Sequence, residues 1–222
     1  MSVHALSSFL VPFMRSKKEF SDKIYDDFLQ QKAAALEYSL GKTQAVYTAP
    51  TALPFEMGGL IALACFPQHR AGTGFATLEL IAPDGSGAIP NEHGTYELLA
   101  FTKTSISTDT SAQEAFEAMQ ERLSYILTMI GRYAFQAKLK PYNSVEIPEK
   151  GSTTNISVIL DLYMPRQQGF IFQEQPHHLL LCMEVFPEEL AFAKANSVEA
   201  LLLRLEAAGY YPYSDLNRPS LF

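Results

Sequence analysis

The sequence predicts an α+β fold in which helices flank both faces of a mixed, largely antiparallel β-sheet. Three observations support this prediction. Seven segments have the composition of β-strands. The helical segments do not alternate regularly with the strands, as they would in a doubly wound fold. Two strand segments are almost wholly apolar, which is typical of strands covered on both faces. With 222 residues, 47% of them hydrophobic, the chain has material for one sizeable core or two small ones. We expect a single domain over residues 1–222.

The first predicted element is an amphipathic helix over about residues 17–40. Ser16 precedes it and Glu19 follows three positions later, which is the spacing of a capping box. Apolar residues then recur at helical spacing on one face. They are Phe20, Ile24, Phe28, Leu36 and Leu40. Gly41 is a residue type that commonly ends helices, so we expect the helix to stop there.

Four strands are predicted next. Each segment is rich in β-branched, aromatic or leucine residues and is bounded by Gly, Pro or Asn. The segments are 43–49, 60–66, 75–82 and 95–103. Segment 60–66 is nearly continuous in apolar residues, which indicates a strand buried on both faces.

A long second helix is predicted over about residues 112–138. Ser111 and Glu114 again have the spacing of a capping box. Apolar residues follow at i, i+3, i+4 and i+7. They are Phe116, Met119, Leu123, Ile126, Leu127, Ile130, Tyr133, Ala134 and Ala137. This stripe predicts a helix with one apolar face.

Three more strands are predicted after segment 141–155, which has the proline and charged residues of a linker. The strands are predicted at 154–164, 170–172 and 178–186. The linker-like segment is short and flanks strands of one sheet, so it does not indicate a domain boundary. The adjacent His177 and His178 would point to opposite faces of an extended strand.

Two short helices are predicted at the C-terminus, over about residues 187–209. Pro187 lacks the N–H that a first helical turn does not use, and Glu188 and Glu189 place negative charge at the positive end of the helix dipole. Asn196 then resembles the cap of a second helix.

The charge balance argues against nucleic acid as a direct ligand. Lys and Arg number 17 against 24 Asp and Glu, which gives a net charge of −7. Nucleic-acid-binding proteins usually carry a basic stripe and a high pI. Two interpretations of the acidic surplus remain open, namely an acidic face that attracts a basic protein partner and solubility alone.

The cysteines and the N-terminus predict a cytoplasmic protein. Cys65 and Cys182 each lie in an apolar strand-like run, where a thiol behaves as a small hydrophobe. Two isolated cysteines in a chain of this size indicate reduced residues of a cytosolic protein. The N-terminus lacks the basic region of a secretory signal, and no apolar run approaches the roughly 20 residues needed to span a bilayer.

Catalytic chemistry has weak support in the sequence. It contains no metal-ligand motif and no phosphate- or dinucleotide-binding fingerprint, so we expect no cofactor. His93 and Glu97 lie four positions apart and, with Asp161 from a distant strand, are the candidates for an enzyme site assembled from separate segments. A charged or solvated strand end explains His93 and Glu97 without catalysis.

The C-terminal segment shows a family resemblance. An apolar strand leads through a short connector to the acidic helix start at Glu188 and Glu189, then to a second short helix and a terminal run that contains Asp215 and Arg218. This order of elements resembles the end of a Suppressor of fused domain. The strands and the long helix upstream also resemble this domain, so the likeness extends loosely over residues 40–222.

The resemblance implies a non-catalytic protein-binding module. The animal members restrain the zinc-finger transcription factors of Hedgehog signalling through such a domain joined to a second one, whereas bacterial relatives are compact, single-domain proteins associated with toxin immunity. This chain resembles the compact, bacterial form. We therefore expect an immunity or regulatory protein that binds and restrains another protein, such as a basic toxin domain.

Six residues are the candidates for binding this partner. They are Glu188, Glu189, Tyr211, Tyr213, Asp215 and Arg218. Tyrosines beside charged groups are common at binding surfaces, although packing of the terminal segment onto the domain explains the same tyrosines. Arg218 has two alternative roles, either to bind a partner carboxylate or to form an internal pair with an acidic group of this chain.

Overall fold

A computed structural model gives the fold over residues 22–47, 55, 58–67, 69–149, 151–164, 170–172 and 175–222. The helices and strands of these residues, in chain order, are α1 (Asp22–Leu40), β1 (Ala45–Tyr47), β2 (Leu63–Phe66), β3 (Thr73–Thr77), β4 (Thr95–Thr102), α2 (Thr110–Ala134), β5 (Ser144–Pro148), β6 (Asn155–Tyr163), β7 (Phe170–Phe172), β8 (Gln175–Val185), α3 (Pro187–Ala195) and α4 (Val198–Ala207).

The strands form one eight-stranded mixed sheet. Its order is β1-β2-β3-β4-β8-β6-β5, and β7 pairs with β8 beside this path. Neighbouring strands are antiparallel except β4 and β8, which are parallel. His177 at the start of β8 pairs with Thr95 of β4 on one side and with Phe170 of β7 on the other. The predicted mixed, largely antiparallel sheet is confirmed.

Helices cover both faces of the sheet, as predicted. The alternation of a strand places the paired residues Leu98 and Leu180 on the face covered by α2, which we call the back face. The next pair, Leu99 and Leu181, lies on the opposite, front face. There α1 packs beside β2, β3 and β4, while α3 and α4 pack on β6 and β8.

The segment after α4 lies between the two groups of helices on the front face. Tyr211 contacts both the apolar cluster of α1 and the apolar cluster of α3 and α4. Tyr213 forms a parallel bridge with Phe101 of β4, and the N–H of Ser214 donates to the carbonyl of Phe101 at 2.8 Å. The front face is therefore closed by the terminal segment as well as by helices.

The long helix has different ends from those predicted. α2 begins at Thr110, and the carboxylate of Asp109 accepts the backbone N–H of Ala112 at 3.0 Å. The prediction of Ser111 as the cap is therefore wrong, because an aspartate two residues earlier already satisfies a free N–H of the first turn. The helix ends at Ala134 and not at 138, since the chain turns there and the N–H of Gln136 bonds to Tyr133.

The other helix boundaries agree more closely. α4 is capped by Ser197, whose hydroxyl accepts the N–H of Ala200 at 3.0 Å, so the prediction of Asn196 as its cap is wrong by one residue. α1 ends at Leu40 as predicted, and Gly41 has the positive φ of a helix stop. The predicted start of α1, with Ser16 and Glu19, lies outside the described residues.

The segment predicted as a linker contains a strand. Residues 141–155 contain β5, which pairs antiparallel with β6 at an edge of the sheet. Val145 and Ile147 alternate with more exposed residues and are buried against the core. The proline and charged residues of the segment hide this short period-2 pattern. Strand β3 also ends at Thr77, five residues before its predicted end at 82.

A buried ion pair attaches α1 to the sheet. The Lys32 ammonium donates to a Glu97 carboxylate oxygen at 2.7 Å, and both side chains are fully buried. The same ammonium donates to the carbonyls of Leu78 at 2.9 Å and Ile81 at 2.8 Å. Burial lowers the pKa of Lys32 and raises the pKa of Glu97, while the charge of each partner opposes the shift of the other.

Candidate functional site

A cleft of about 480 Å³ opens on the front face between α4, β6 and the turn that precedes β5. We call it the acidic cleft and define it by six of its lining residues. They are Tyr142, Asp161, Glu199, Leu203, Glu206 and Tyr211. Concave sites with apolar walls and a few convergent polar groups are the usual form of binding sites.

The local structure explains why the carboxylates converge. Glu199 and Glu206 are seven positions apart on α4, which is about two helical turns, so they lie on the same side of the helix. Asp161 of β6 pairs with Leu181 of β8 and therefore faces the front side, where α4 packs. The Tyr211 hydroxyl donates to Asp161 at 2.9 Å and fixes the carboxylate at the cleft.

The carboxylates of the cleft have no paired cation among the described residues. Burial raises the pKa of Asp161, and the nearby carboxylates of Glu199 and Glu206 raise it further, although hydrogen bonds from Tyr211 and from the N–H of Leu162 oppose the shift. Among the residues that the structure describes, no Lys or Arg forms an ion pair with these three carboxylates. A cation from outside the chain would stabilise the ionised form of Asp161.

Two exposed apolar groups flank the carboxylates. Leu203 is 67% exposed and Tyr142 is 49% exposed. Tyr142 has a φ of 63°, a left-handed conformation that is rare for a bulky residue. Its N–H donates to the carbonyl of Leu160 at 2.7 Å, which holds the turn against β6. The site therefore combines negative charge with apolar and aromatic surface.

The two predicted tyrosines lie at or beside this site. Tyr211 lines the acidic cleft and is half-buried. Tyr213 is also half-buried, and the Lys103 ammonium lies 5.2 Å from the centre of its ring. Both tyrosines thus pack the terminal segment onto the domain and also form part of a candidate binding surface.

Three of the other four predicted residues are engaged inside the molecule. Arg218 donates from both terminal nitrogens to the Glu189 carboxylate, at 2.6 Å and 2.7 Å, and Glu189 is fully buried. The internal pair is thus the alternative that the structure shows for Arg218. Asp215 is buried and accepts the Thr102 hydroxyl at 2.7 Å and the N–H of Lys103 at 2.9 Å. We therefore do not include these three in the binding surface.

Glu188 is exposed in the first turn of α3, next to the buried Glu189. It is not among the residues that line the acidic cleft. The structure therefore gives Glu188 an accessible position outside the acidic cleft.

The structure does not bring His93, Glu97 and Asp161 together. Glu97 lies on the front face, where its carboxylate accepts from Lys32 and from the Thr77 hydroxyl. His93 is exposed, and its ring lies 5.6 Å from the ring of His178 on the back face. No hydrogen bond between described residues joins any two of the three, so the mutual contact that catalytic groups need is not present in this geometry.

The described residues contain no metal site, since no group of three or more His, Cys, Asp or Glu side chains among them is arranged to hold a metal ion. No helix in the part of the chain that the structure describes has the length and apolar character to cross a membrane. Cys65 and Cys182 are buried and free, and burial raises the pKa of Cys65 to about 11.

Comparison with known proteins identifies the fold. No protein-family model and no curated protein matches the sequence. A Suppressor of fused homologue from Neisseria gonorrhoeae has a similar crystal structure, with a TM-score of 0.54, 15% identity, and coverage of 88% of this chain and 97% of that chain. The chain has the Suppressor of fused fold. A chain in the crystal structure of the Sufu–Fu complex matches it with a TM-score of 0.51, 17% identity, and coverage of 81% and 84% respectively.

The resemblance of the C-terminal segment therefore predicted the Suppressor of fused fold correctly. At these identities the likeness concerns the fold and not the activity.

Sequence reasoning missed most of the cleft. The seven-residue spacing of Glu199 and Glu206 places both on one side of a predicted helix, but an exposed helix face explains such a pair equally well. The sequence makes Asp161 a catalytic candidate, whereas its position beside α4 depends on how the helix packs over β6. Tyr142 follows Pro141 in the segment interpreted as a linker. Its positive φ has no signal in the sequence, because glycine and asparagine are the residues expected in that conformation.

Tyr142 provides a test of whether the site stores backbone strain. We expect Tyr142→Asn to raise the free energy of unfolding by about 1 kcal/mol, since asparagine adopts a positive φ more readily and the exposed ring loses little packing. Urea unfolding measures the difference. Tyr38→Asn is the control, because Tyr38 is 68% exposed within α1 and asparagine there should slightly destabilise the helix. A lower stability for Tyr142→Asn would mean that ring packing outweighs the strain.

Proposed function

We propose that this chain is a non-catalytic protein-binding module that binds a basic segment of another protein in the acidic cleft. The observation that carries the proposal is the convergence of Asp161, Glu199 and Glu206 in one concave site, without a compensating cation from the described residues. A Lys or Arg side chain from a partner supplies the missing charge, and the exposed Leu203 and Tyr142 supply apolar contact beside it. Tyrosine is also among the residues that contribute most to protein interfaces.

The fold is consistent with this proposal. The Sufu–Fu complex is a structure of a protein with this fold bound to another protein. By analogy, we infer that the chain binds and restrains its partner, as an immunity or regulatory protein does, and that a basic toxin domain has the required charge. We place this activity in the cytoplasm, an inference that rests on the two buried free cysteines, Cys65 and Cys182.

The binding test uses a displayed library of random peptides as the probe. We expect the wild-type protein to enrich peptides that contain Lys or Arg next to an apolar residue, and we expect their affinity to fall as salt is raised. The variant Asp161→Asn/Glu199→Gln/Glu206→Gln should bind an enriched peptide about tenfold more weakly, because three partly screened charge contacts are lost. Calorimetric titration with one synthetic peptide measures this change.

A matched control separates the site from the overall charge. Glu114→Gln/Glu117→Gln/Glu121→Gln removes three exposed carboxylates from α2 on the back face, and it should change the affinity by less than about twofold. The proposal is rejected if no basic peptides are enriched, or if both triple variants weaken binding equally. Thermal unfolding verifies that the cleft variant is folded, since asparagine at 161 can still accept the Tyr211 hydroxyl.

The pH dependence gives a further expectation from the same peptide titration. Ionised Asp161 attracts the cation, so affinity should decrease as the pH falls through the raised pKa of Asp161, above its ordinary value of 3.8. Asp161→Asn should remove this part of the pH dependence.

A further inference from the structure

Arg70 lies in the turn between β2 and β3 and is held by a tyrosine. Its Nε donates to the Tyr163 hydroxyl at 2.7 Å, and its guanidinium carbon lies 5.6 Å from the centre of the Tyr163 ring. The Nε2 atom of His69 lies 2.8 Å from the same hydroxyl. Gly72 brings this turn against the end of β4, where a Cβ atom would lie 2.0 Å from the carbonyl oxygen of Thr102.

The terminal nitrogens of Arg70 are available for a ligand. Arg70 is exposed, and its two terminal nitrogens form no hydrogen bond with any described residue. A guanidinium held at Nε presents its remaining donors in a fixed plane, the geometry that binds a carboxylate through two parallel hydrogen bonds. The side chain is thus oriented by the fold, and none of the described acidic residues forms an ion pair with it.

Arg70 is close to the acidic cleft. Tyr163, which holds Arg70, lies two positions from Asp161 on β6, so both side chains face the front side. The Tyr211 hydroxyl donates to Asp161 at 2.9 Å. Burial and Asp161 raise the pKa of Tyr211, while the charge of Arg70 opposes this shift. The front face therefore carries a cation and a carboxylate near the same tyrosine.

We infer that Arg70 binds a carboxylate of the same partner segment whose cation enters the acidic cleft. This inference rests on the proposed function and adds a second requirement to the partner, an Asp or Glu side chain that reaches Arg70 while the basic side chain lies in the acidic cleft. A carboxylate fits better than a phosphate, because one guanidinium group balances a single negative charge. The three carboxylates of the cleft would repel the second negative charge of a phosphate. Arg70 then determines the orientation in which the segment binds.

The first test does not depend on the partner. Sodium acetate is titrated into the protein, and the side-chain Nε–H signals of its arginines are followed by NMR. We expect a saturable shift of the Arg70 signal, larger than that of the exposed Arg204, and no such shift with sodium chloride. Tyr163→Phe should weaken this response, because Tyr163 is a positioning residue for the guanidinium. Equal responses of Arg70 and Arg204 overturn the inference, whatever the acidic cleft binds.

The second test uses the random-peptide library. We expect wild-type protein to enrich peptides that contain an acidic residue as well as a basic one, and Arg70→Gln to enrich basic peptides without the acidic residue. Arg70→Gln should bind a selected peptide about tenfold more weakly. Lys138→Gln, which removes an exposed charge beyond α2, should change this affinity by less than about twofold.

The outcomes distinguish the two proposals. If basic peptides are enriched but neither their composition nor their affinity depends on Arg70, the proposal for the acidic cleft stands. The inference of a carboxylate site at Arg70 is then overturned. Absence of basic enrichment rejects the cleft proposal, and the NMR titration then decides whether Arg70 is an anion site by itself. Selective enrichment of phosphorylated peptides, if a phosphorylated library is used, overturns the assignment to a carboxylate.

Discussion

Replacing Lys32 with methionine is expected to lower the free energy of unfolding by about 3–5 kcal/mol, the range for removing one partner of a buried ion pair. The Glu97 carboxylate accepts from Lys32 at 2.7 Å and from the Thr77 hydroxyl at 2.6 Å, and its side chain is inaccessible to solvent. Methionine fills a similar volume, so the loss reports the unpaired carboxylate and the two carbonyls that lose the ammonium, and not a cavity. Urea unfolding followed by circular dichroism measures it.

The pH dependence of Lys32→Met identifies the cause of the loss. Burial raises the pKa of Glu97, and Lys32 opposes that shift, so the variant raises this pKa further. A carboxyl group whose pKa is raised in the folded state favours folding below its ordinary pKa, and this contribution is lost as pH rises through the folded pKa. The deficit of the variant should therefore be largest at neutral pH and should shrink as pH falls toward 4.5, the ordinary pKa of Glu97.

Two further variants test the ion pair directly. Lys32→Met/Glu97→Gln should recover most of the stability, because the double variant leaves no unpaired charge. Lys42→Met breaks a salt bridge whose lysine is 84% exposed, and it should cost less than about 1 kcal/mol. A loss of that small size for Lys32→Met would show that the pair is not buried in solution.

The same pair illustrates what the sequence can and cannot predict. The apolar stripe of α1 has Phe28 and Leu36 eight positions apart, and Lys32 occupies the position midway between them. A charged residue in such a stripe indicates a buried partner, but nothing in the sequence identifies Glu97, which is 65 positions away. Periodicity predicts which face of a helix is buried. The partner across the core depends on the order of strands in the sheet.

Most of the fold could be predicted from local sequence patterns. Helices and strands follow from local patterns, and the segment from 179 to 222 resembles a known domain closely enough to predict the fold. The short edge strand β5 was missed, because Pro148 and Glu146 resemble loop residues and two buried side chains make a weak pattern.

The candidate site was less accessible, because its residues come from distant segments. Asp161, Glu199 and Tyr211 meet only when α4 packs over β6 and the terminal segment returns across the front face. Arg70 lies in a glycine-containing turn, and its orientation depends on Tyr163, which is 93 positions away. Charged residues on predicted helices and turns are common, so composition alone could not distinguish these from solvated surface groups.

Replacing Arg218 with methionine is expected to destabilise the domain by about 3–5 kcal/mol, because it leaves the fully buried Glu189 without its paired cation. Glu189 also accepts the N–H groups of Phe186 and Leu221, at 3.1 Å and 3.2 Å, so this carboxylate connects the start of α3 with the end of the chain. Hydrogen exchange should therefore increase in both segments, and urea unfolding should show the loss of stability.

The matched control for Arg218→Met is Lys194→Met, which breaks an ion pair with Glu146 whose side chains are 38% and 32% exposed. This control should cost less than about 1 kcal/mol. The comparison decides between the two roles of Arg218. An internal pair requires a large loss of stability in the isolated protein, whereas a partner-binding arginine would lower peptide affinity and leave unfolding and hydrogen exchange unchanged.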